Sequence, residues 1–269
     1  MFGIGIIGCG KIAQVRHIPE YAAHPEAKLV GFYDINQQRA AELAAKYGGR
    51  AYATVEELLA EPEIQAVSIC AANFAHAELT IAALNAGKHV LCEKPMATNL
   101  ADCEAMVQAA DANGKFLMIG HNQRLAKAHS LARKLIVEGL IGVDDNAICV
   151  YELSGGAMGT MTASWTYYGA EDNSTILYGT KGIMRIYDDP TAAIKVILTD
   201  GSKISYDVEA IQTNDNQTKS GVIDLWMDSL VNNREPEISG RSALTAMRAV
   251  FASLRSSELG TAVEIPENR

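Results

Sequence analysis

The chain has 269 residues, 48% of them hydrophobic and 20% charged, with a formal net charge of −9. That balance excludes a disordered, collagenous or low-complexity polymer and supplies apolar side chains for one large core or two ordinary ones. An acidic chain without a basic cluster is a poor partner for nucleic acid or an anionic membrane surface, and no apolar run approaches the roughly 20 residues that span a bilayer.

Met1 to Gly8 lack the charged region and cleavage site of a secretory signal. Cys9, Cys70, Cys92, Cys103 and Cys149 are odd in number and have no CxxC spacing. They point to buried free thiols in a reducing, cytoplasmic setting rather than to disulfides or zinc, and no metal is expected.

Residues 2–8 form a short apolar run ending in a glycine turn, and a helical pattern follows at 11–24. A second apolar run at 28–33 precedes helix formers at 36–47, opened by Asn36 as N-cap. Apolar runs at 66–71, 89–92 and 115–119 alternate with helical segments at 54–60, 75–87 and 99–113, the last two closed by Gly87 and Gly114. Strands alternating with helices predict βαβ units with right-handed crossovers. Residues 1–121 are therefore expected to form an α/β Rossmann domain with a doubly wound parallel sheet.

Residues 123–138 carry one helical pattern, ended by Gly139. The rhythm then changes to strands joined by tight turns. The pairs are 146–153 with 157–166, 175–178 with 183–187, and 194–199 with 203–208. Helical segments at 220–232 and 240–259 follow, the second with Leu244, Met247, Val250, Phe251 and Leu254 at core spacing. Residues 122–269 are thus expected to form an α+β domain with a mainly antiparallel sheet.

Gly8-Cys9-Gly10-Lys11-Ile12-Ala13 matches G-x-G-x-x-[GA] between a predicted strand and helix. The first glycine permits the turn, the second lets backbone approach a pyrophosphate, and the small Ala13 lets helix and strand pack closely. Asp34 ends the second strand, 21 residues after Ala13, where a carboxylate binds the adenosine ribose and repels a 2′-phosphate. NAD is therefore expected over NADP. Ala71, Ala72, Asn73 and His76 follow the fourth predicted strand, at the edge where a doubly wound sheet binds its ligand. His76 reads either as a cofactor contact or as a packing and helix-capping residue.

The run SICAANFAHAELTIAALNAGKHVLCEKPMATN, residues 68–99, resembles the glucose–fructose oxidoreductase/inositol dehydrogenase (Gfo/Idh/MocA) family. The carrying motifs are Asn73 with His76, Gly87-Lys88-His89 and Glu93-Lys94-Pro95. The second half resembles it through VDDNA (143–147), GTMTASWT (159–166) and LYGTKG (177–182).

The resemblance implies NAD(P)-dependent oxidoreduction of a hydroxyl-bearing carbon on a sugar, inositol or similar polyol. It implies that Lys94 contacts the reacting hydroxyl, either as a buried lysine with a lowered pKa or by stabilising developing alkoxide, that Glu93 lies beside the nicotinamide and its ribose, and that the bond before Pro95 is cis. It further places Asn122 and Arg124, in Gly-His-Asn-Gln-Arg, near the nicotinamide and substrate, and implies a homo-oligomer formed through the C-terminal sheet. The plainer alternative for Glu93 and Lys94 is an exposed ion pair.

One departure stands out. Family members carry a long segment with an Asp-x-x-x-His helix, whose His is the acid/base partner of the lysine. Here Gly139 to Gly142 run straight into Val143, and no histidine follows His129. Either that segment is deleted or the sequence joins residues across it.

His17 and His129 read as surface or helix-packing residues, Trp165 and Trp226 as core or interface anchors. Tyr167-Tyr168 read as sheet packing, and Asp144-Asp145 and Asp188-Asp189 as turns. Three functions follow: a polyol or sugar dehydrogenase, a dinucleotide-binding sensor or scaffold without catalysis, and a reductase of another C=O or C=C substrate.

Overall fold

A computed structural model describes residues 1–125, 131, 134–135, 151–152, 158–159, 174–189, 192–207 and 221–265. It divides into two compact units, Met1–Asn122 with Gln217–Arg269, and Gln123–Asn216.

The first unit is built on six strands: β1 (Phe2–Ile7), β2 (Ala27–Tyr33), β3 (Arg50–Ala51), β4 (Ala66–Ile69), β5 (His89–Cys92) and β6 (Leu117–Ile119). Their order is β3-β2-β1-β4-β5-β6, with every pairing parallel. The short edge strand β3 has no apolar run and is not legible in the sequence. Ile4, Ile6 and Ile7 are all buried, as befits a sheet covered on both faces.

Helices fill the crossovers: α1 (Ile18–Ala23), α2 (Gln37–Tyr47), α3 (Val55–Ala60), α4 (His76–Asn85) and α5 (Leu100–Asn113). The first is entered through a π-helical turn, Ala13–His17. Side-chain caps start the others where polar residues permit. Asn36 accepts the Arg39 N–H, Thr54 that of Glu57, and Asn99 that of Asp102, while Gly114 ends α5 in the left-handed region.

Two later helices belong to this unit, α6 (Val222–Val231) and α7 (Gly240–Leu259). The expected division at 121–122 therefore differs from the observed grouping. The physical reason is a shared core: Ala243, Leu244 and Met247 of α7 join Cys103, Met106 and Ala110 of α5. Arg248 adds an ion pair to Glu104 at 3.3 Å, and the Ile119 amide donates to Ile238 O at 3.0 Å. Two members of the expected α7 stripe are not core, since Val250 and Leu254 are exposed.

The Gly87-Lys88-His89 tripeptide proves architectural. The buried Lys88 ammonium donates to Glu61 O (2.9 Å) and Ile64 O (2.7 Å), tying the α3–β4 loop to the start of β5. His89 Nδ1 accepts the Phe116 N–H at 3.0 Å.

In the second unit, β9 (Thr175–Gly179), β10 (Gly182–Asp189), β11 (Ala192–Leu198) and β12 (Lys203–Tyr206) form an antiparallel meander. Its buried face carries Met184, Ile186, Ile194 and Val196. Tyr151–Glu152 (β7) pairs with Met158–Gly159 (β8). Asp188 and Asp189, expected in a turn, close strand β10, where Asp188 pairs with Arg185 at 2.5 Å.

The expectations for the Gly139–Val143 junction, Asp144-Asp145, Cys149, Trp165, Tyr167-Tyr168 and His129 lie outside the described residues. Among the described residues, no helix is long and apolar enough to cross a membrane.

Candidate dinucleotide and substrate site

Because the sheet is parallel, the turns after β1, β2, β4, β5 and β6 emerge at one edge. They carry Gly8–Ala13, Asp34, Ala71–His76, Glu93–Pro95 and Gly120–Asn122. Such an edge is where open α/β sheets bind ligands.

Gly8 follows β1 with φ 90°, and a Cβ there would stand 2.7 Å from backbone atoms of Cys70 and Ala71. Only glycine fits that position. A Cβ on Gly10 would meet nothing within 4 Å, so the loop faces open space. Lys11 is exposed, Ile12 half-buried and Ala13 fully buried against the sheet. A tight turn with open space at its second glycine fits a dinucleotide diphosphate.

Asp34 is buried at the end of β2. Its Oδ2 accepts the Cys9 N–H at 2.6 Å, and its Oδ1 accepts the Asn36 N–H at 2.7 Å. Arg39, half-exposed on α2, places Nη1 3.4 Å from Oδ2. Two apolar side chains stand open near this edge: Ile35 is 92% exposed and Phe74 81%. Their turns follow β2 and β4, the two neighbours of β1.

Ala72 and Asn73 are exposed and Ala71 is half-buried. His76 is 1% exposed, with Nδ1 2.7 Å from Pro95 O and Nε2 3.1 Å from Ala71 O. Of its two readings, the packing one describes this geometry, because both ring nitrogens are turned to backbone carbonyls.

Glu93 and Lys94 part company. Glu93 is buried, whereas Lys94 is exposed, so the expectation of a buried lysine does not hold here. The carboxylate reaches inward to His17 Nε2 at 2.9 Å, and its Oε2 accepts the Lys94 N–H at 3.1 Å. The exposed ion pair considered for these neighbours is absent among the ion pairs of the described residues. Burial pushes the Glu93 carboxyl up, but the His17 hydrogen bond, the Arg16 charge and the Lys94 amide outweigh it. Its pKa lies below the ordinary value. The Lys94–Pro95 bond is cis, as the resemblance implies.

Asn122 is buried at the start of the turn Asn122–Leu125, whose backbone also contains Arg124. The Arg124 side chain lies outside the described residues. Burial pushes the thiols of Cys9 and Cys92 up to about 12, which keeps them protonated and unsuited to nucleophilic work.

Sequence reasoning missed His17, Arg39, Ile35 and Phe74. The signal for His17 was present: it lies four residues after Ala13 and four before Tyr21, on one helical face, and all three are buried.

Known proteins resemble this chain in sequence and in fold. The sequence model described as "Oxidoreductase family, NAD-binding Rossmann fold" matches residues 2–121, and that of the GFO/IDH/MocA C-terminal domain matches residues 117–185. The 1,5-anhydro-D-fructose reductase of Ensifer adhaerens is 40% identical over 139 residues, covering 51% of this chain and 41% of that protein. The myo-inositol 2-dehydrogenase of Thermotoga maritima is 34% identical over 140 residues, covering 52% and 42%. An inositol 2-dehydrogenase 3 from Saccharopolyspora erythraea is 30% identical over 198 residues, covering 72% and 56%. The matched part of this chain thus spans about half the length of these curated relatives or less.

In three dimensions, an Agrobacterium radiobacter oxidoreductase solved with NAD+, L-tartaric acid and magnesium superposes with a TM-score of 0.81. It covers 98% of each chain at 17% identity, a likeness of fold.

Proposed function

Because this chain belongs to the Gfo/Idh/MocA family of oxidoreductases, we propose that it transfers a hydride between a nicotinamide dinucleotide and a hydroxyl-bearing carbon of a sugar, inositol or related cyclic polyol. The observation that carries this reading is the shared edge. The glycine turn with its open second glycine, the ribose carboxylate Asp34 and the Glu93-Lys94-Pro95 turn all emerge there from one parallel sheet. The names of curated relatives, a 1,5-anhydro-D-fructose reductase and inositol 2-dehydrogenases, support the substrate class.

In this reading residues 1–121 bind the dinucleotide and the chain from 122 on contributes the substrate domain, with its last two helices packed into the core of the first unit. The Gly8–Ala13 turn holds the diphosphate, Asp34 the adenosine ribose, and Ala71, Ala72 and Asn73 line the approach. Exposed Ile35 and Phe74 offer apolar walls to the adenine. Glu93 and Asn122 stand at the nicotinamide end, and Arg124 meets the substrate. Bound NAD supplies the hydride acceptor. Lys94, whose ammonium is free to reach outward, binds the reacting hydroxyl and stabilises developing alkoxide charge. NAD is preferred over NADP because Asp34 accepts a ribose hydroxyl and disfavours a phosphate. We also infer a cytoplasmic protein that forms a homo-oligomer through the antiparallel sheet of its second unit.

The test is NADH production, followed by absorbance, from a panel of inositols and aldoses. The reading requires measurable turnover, even if very slow, that Lys94→Ala abolishes. A specific observation favours a second reading, a dinucleotide-binding sensor without catalysis: the sequence contains no Asp-x-x-x-His and no histidine beyond His129. NAD binding with no turnover of any polyol would select it.

A further inference from the structure

Behind the Glu93-Lys94-Pro95 turn lies a buried chain of polar side chains that cofactor and substrate binding do not account for. Tyr21 Oη stands 2.7 Å from Ser68 Oγ, Ser68 Oγ 3.3 Å from His17 Nδ1, and His17 Nε2 2.9 Å from Glu93 Oε1. Tyr21 and Ser68 are fully buried, His17 is 2% exposed and Glu93 7%. The four residues come from α1, β4, the π-helical turn and the position after β5, so the chain links two neighbouring strands to the first crossover helix.

One assignment of the hydrogens leaves none of them unused. A fully buried phenol must donate, and the contact within reach is Ser68 Oγ. The serine hydroxyl, having accepted from Tyr21, donates onward to His17 Nδ1. That leaves the imidazole neutral, with its one proton on Nε2, pointed at a carboxylate that can only accept. Each hydrogen is used once. Gly120 closes the far side, since a Cβ there would stand 3.1 Å from Glu93 Oε1. The carboxylate is thereby held between imidazole and backbone, with Oε2 on the Lys94 amide.

We propose that His17 is a positioning residue: a neutral imidazole, oriented from behind by Ser68 and Tyr21, that fixes the Glu93 carboxylate and through it the backbone of Lys94. The inference rests on reading this edge as the nicotinamide end of the site. His17 touches neither cofactor nor substrate; it acts through Glu93. The other titratable groups facing Glu93 are Arg16 beside His17 in the π-helical turn, Cys70 after β4 and Cys92 at the end of β5. Both thiols stay protonated because burial raises them, so the Arg16 charge, together with the hydrogen bonds from His17 Nε2 and the Lys94 amide, holds the carboxylate ionised.

Nitrogen NMR of the wild-type imidazole should show a proton on Nε2 and a bare Nδ1 at neutral pH. The opposite tautomer, or an imidazolium, would overturn the proposal. Carboxyl-carbon NMR, with Glu93→Gln identifying the resonance, should show the Glu93 titration moving upward in His17→Phe. His17→Gln keeps an amide N–H near the position of Nε2 and should restore most of the wild-type midpoint. NADH affinity should fall about tenfold in the phenylalanine variant, the scale of one hydrogen bond to a charged group, and much less in the glutamine variant.

An unmoved midpoint in His17→Phe, or no restoration by His17→Gln, means that His17 merely packs. Should His17→Phe fail to fold, Ser68→Ala removes the donor to Nδ1 and should move the Glu93 midpoint part of the way; no movement there overturns the idea equally. A wild-type protein that binds no NADH would instead refute the dinucleotide reading, and the NMR result would still judge His17.

Discussion

The Asp34 carboxylate accepts the backbone N–H of Cys9 at 2.6 Å, joining the end of β2 to the middle of the glycine turn after β1. In the proposed reading one side chain serves two ends of a dinucleotide: it shapes the loop that would face the diphosphate and presents an acceptor to the ribose. Asp34→Ala should therefore weaken NAD binding by about 1.5–3 kcal/mol, the scale of a charge-assisted hydrogen bond, and narrow the NAD preference. Calorimetric titration of both dinucleotides reads this directly. Equal affinities for NAD and NADP in the wild type would remove the assignment.

Arg39 complicates that preference. Its guanidinium lies 3.4 Å from Asp34 Oδ2 and is 41% exposed, beside an open depression of about 400 Å³ lined in part by Gln14, Asn36 and Lys46. An exposed arginine there can meet a 2′-phosphate that Asp34 alone would repel. Arg39→Ala should lower NADP affinity about three- to tenfold, a magnitude kept small by solvent screening, and leave NAD affinity nearly unchanged. Parallel losses for both dinucleotides would show that Arg39 only buttresses Asp34.

His89 sets an acid limit on stability. Burial, with repulsion from Lys115, lowers its pKa from 6.5 to about 4, and its Nδ1 must stay unprotonated to accept the Phe116 N–H. Since the folded pKa lies below the unfolded one, the unfolded chain binds the proton first as pH falls. Stability from this group is complete above pH 6.5 and declines towards pH 4, by at most about 3 kcal/mol. His89→Asn keeps an acceptor without a titration, so urea midpoints of the variant should fall less steeply across that window. Identical slopes would place the acid sensitivity elsewhere.

Lys88 offers a control on how the family tripeptides divide their labour. Its buried ammonium donates to two carbonyls far from the carboxyl edge of the sheet. Lys88→Met leaves Glu61 O and Ile64 O without that donor and should cost about 1–3 kcal/mol of stability while NADH affinity stays within about twofold. A large loss of affinity at unchanged stability would mean that the tripeptide touches the cofactor after all.

Much of the first unit was legible because local signals agree. Asn36, Thr54 and Asn99 cap where their side chains allow, Gly114 stops α5, and apolar runs give the central strands. What sequence reasoning missed depends on distance along the chain. His17 meets a carboxylate 76 positions away, and α7 packs on α5 across more than a hundred residues. No spacing rule encodes such meetings. Val250 and Leu254 show the reverse limit: they keep helical periodicity with the core stripe yet stay exposed, because periodicity names a face and not its width. A buried Lys94 was one of the expectations, but successive residues leaving a strand point to opposite sides, and only Glu93 turns inward.

Lys94 also frames the decisive catalytic test. Its exposed side chain follows a buried carboxylate at the sheet edge, so binding and proton transfer are separable by mutation. Lys94→Ala should keep NADH affinity within about threefold and remove turnover, because one hydroxyl contact and its share of acid–base help are worth about 10²–10⁴ in rate. The family's acid/base partner is the histidine of an Asp-x-x-x-His helix, and this sequence has none. The 269-residue chain should therefore bind NAD yet dehydrogenate inositols and aldoses very slowly. Inserting a segment with a Gly-rich turn and an Asp-x-x-x-His helix between Gly142 and Val143 should raise the rate, and Lys94→Ala in that longer chain should abolish most of the gain. NADH production by the four proteins is the measurement. Ordinary turnover by the 269-residue chain would mean that another group, with His121 beside the β6 turn as the first candidate, serves as the base.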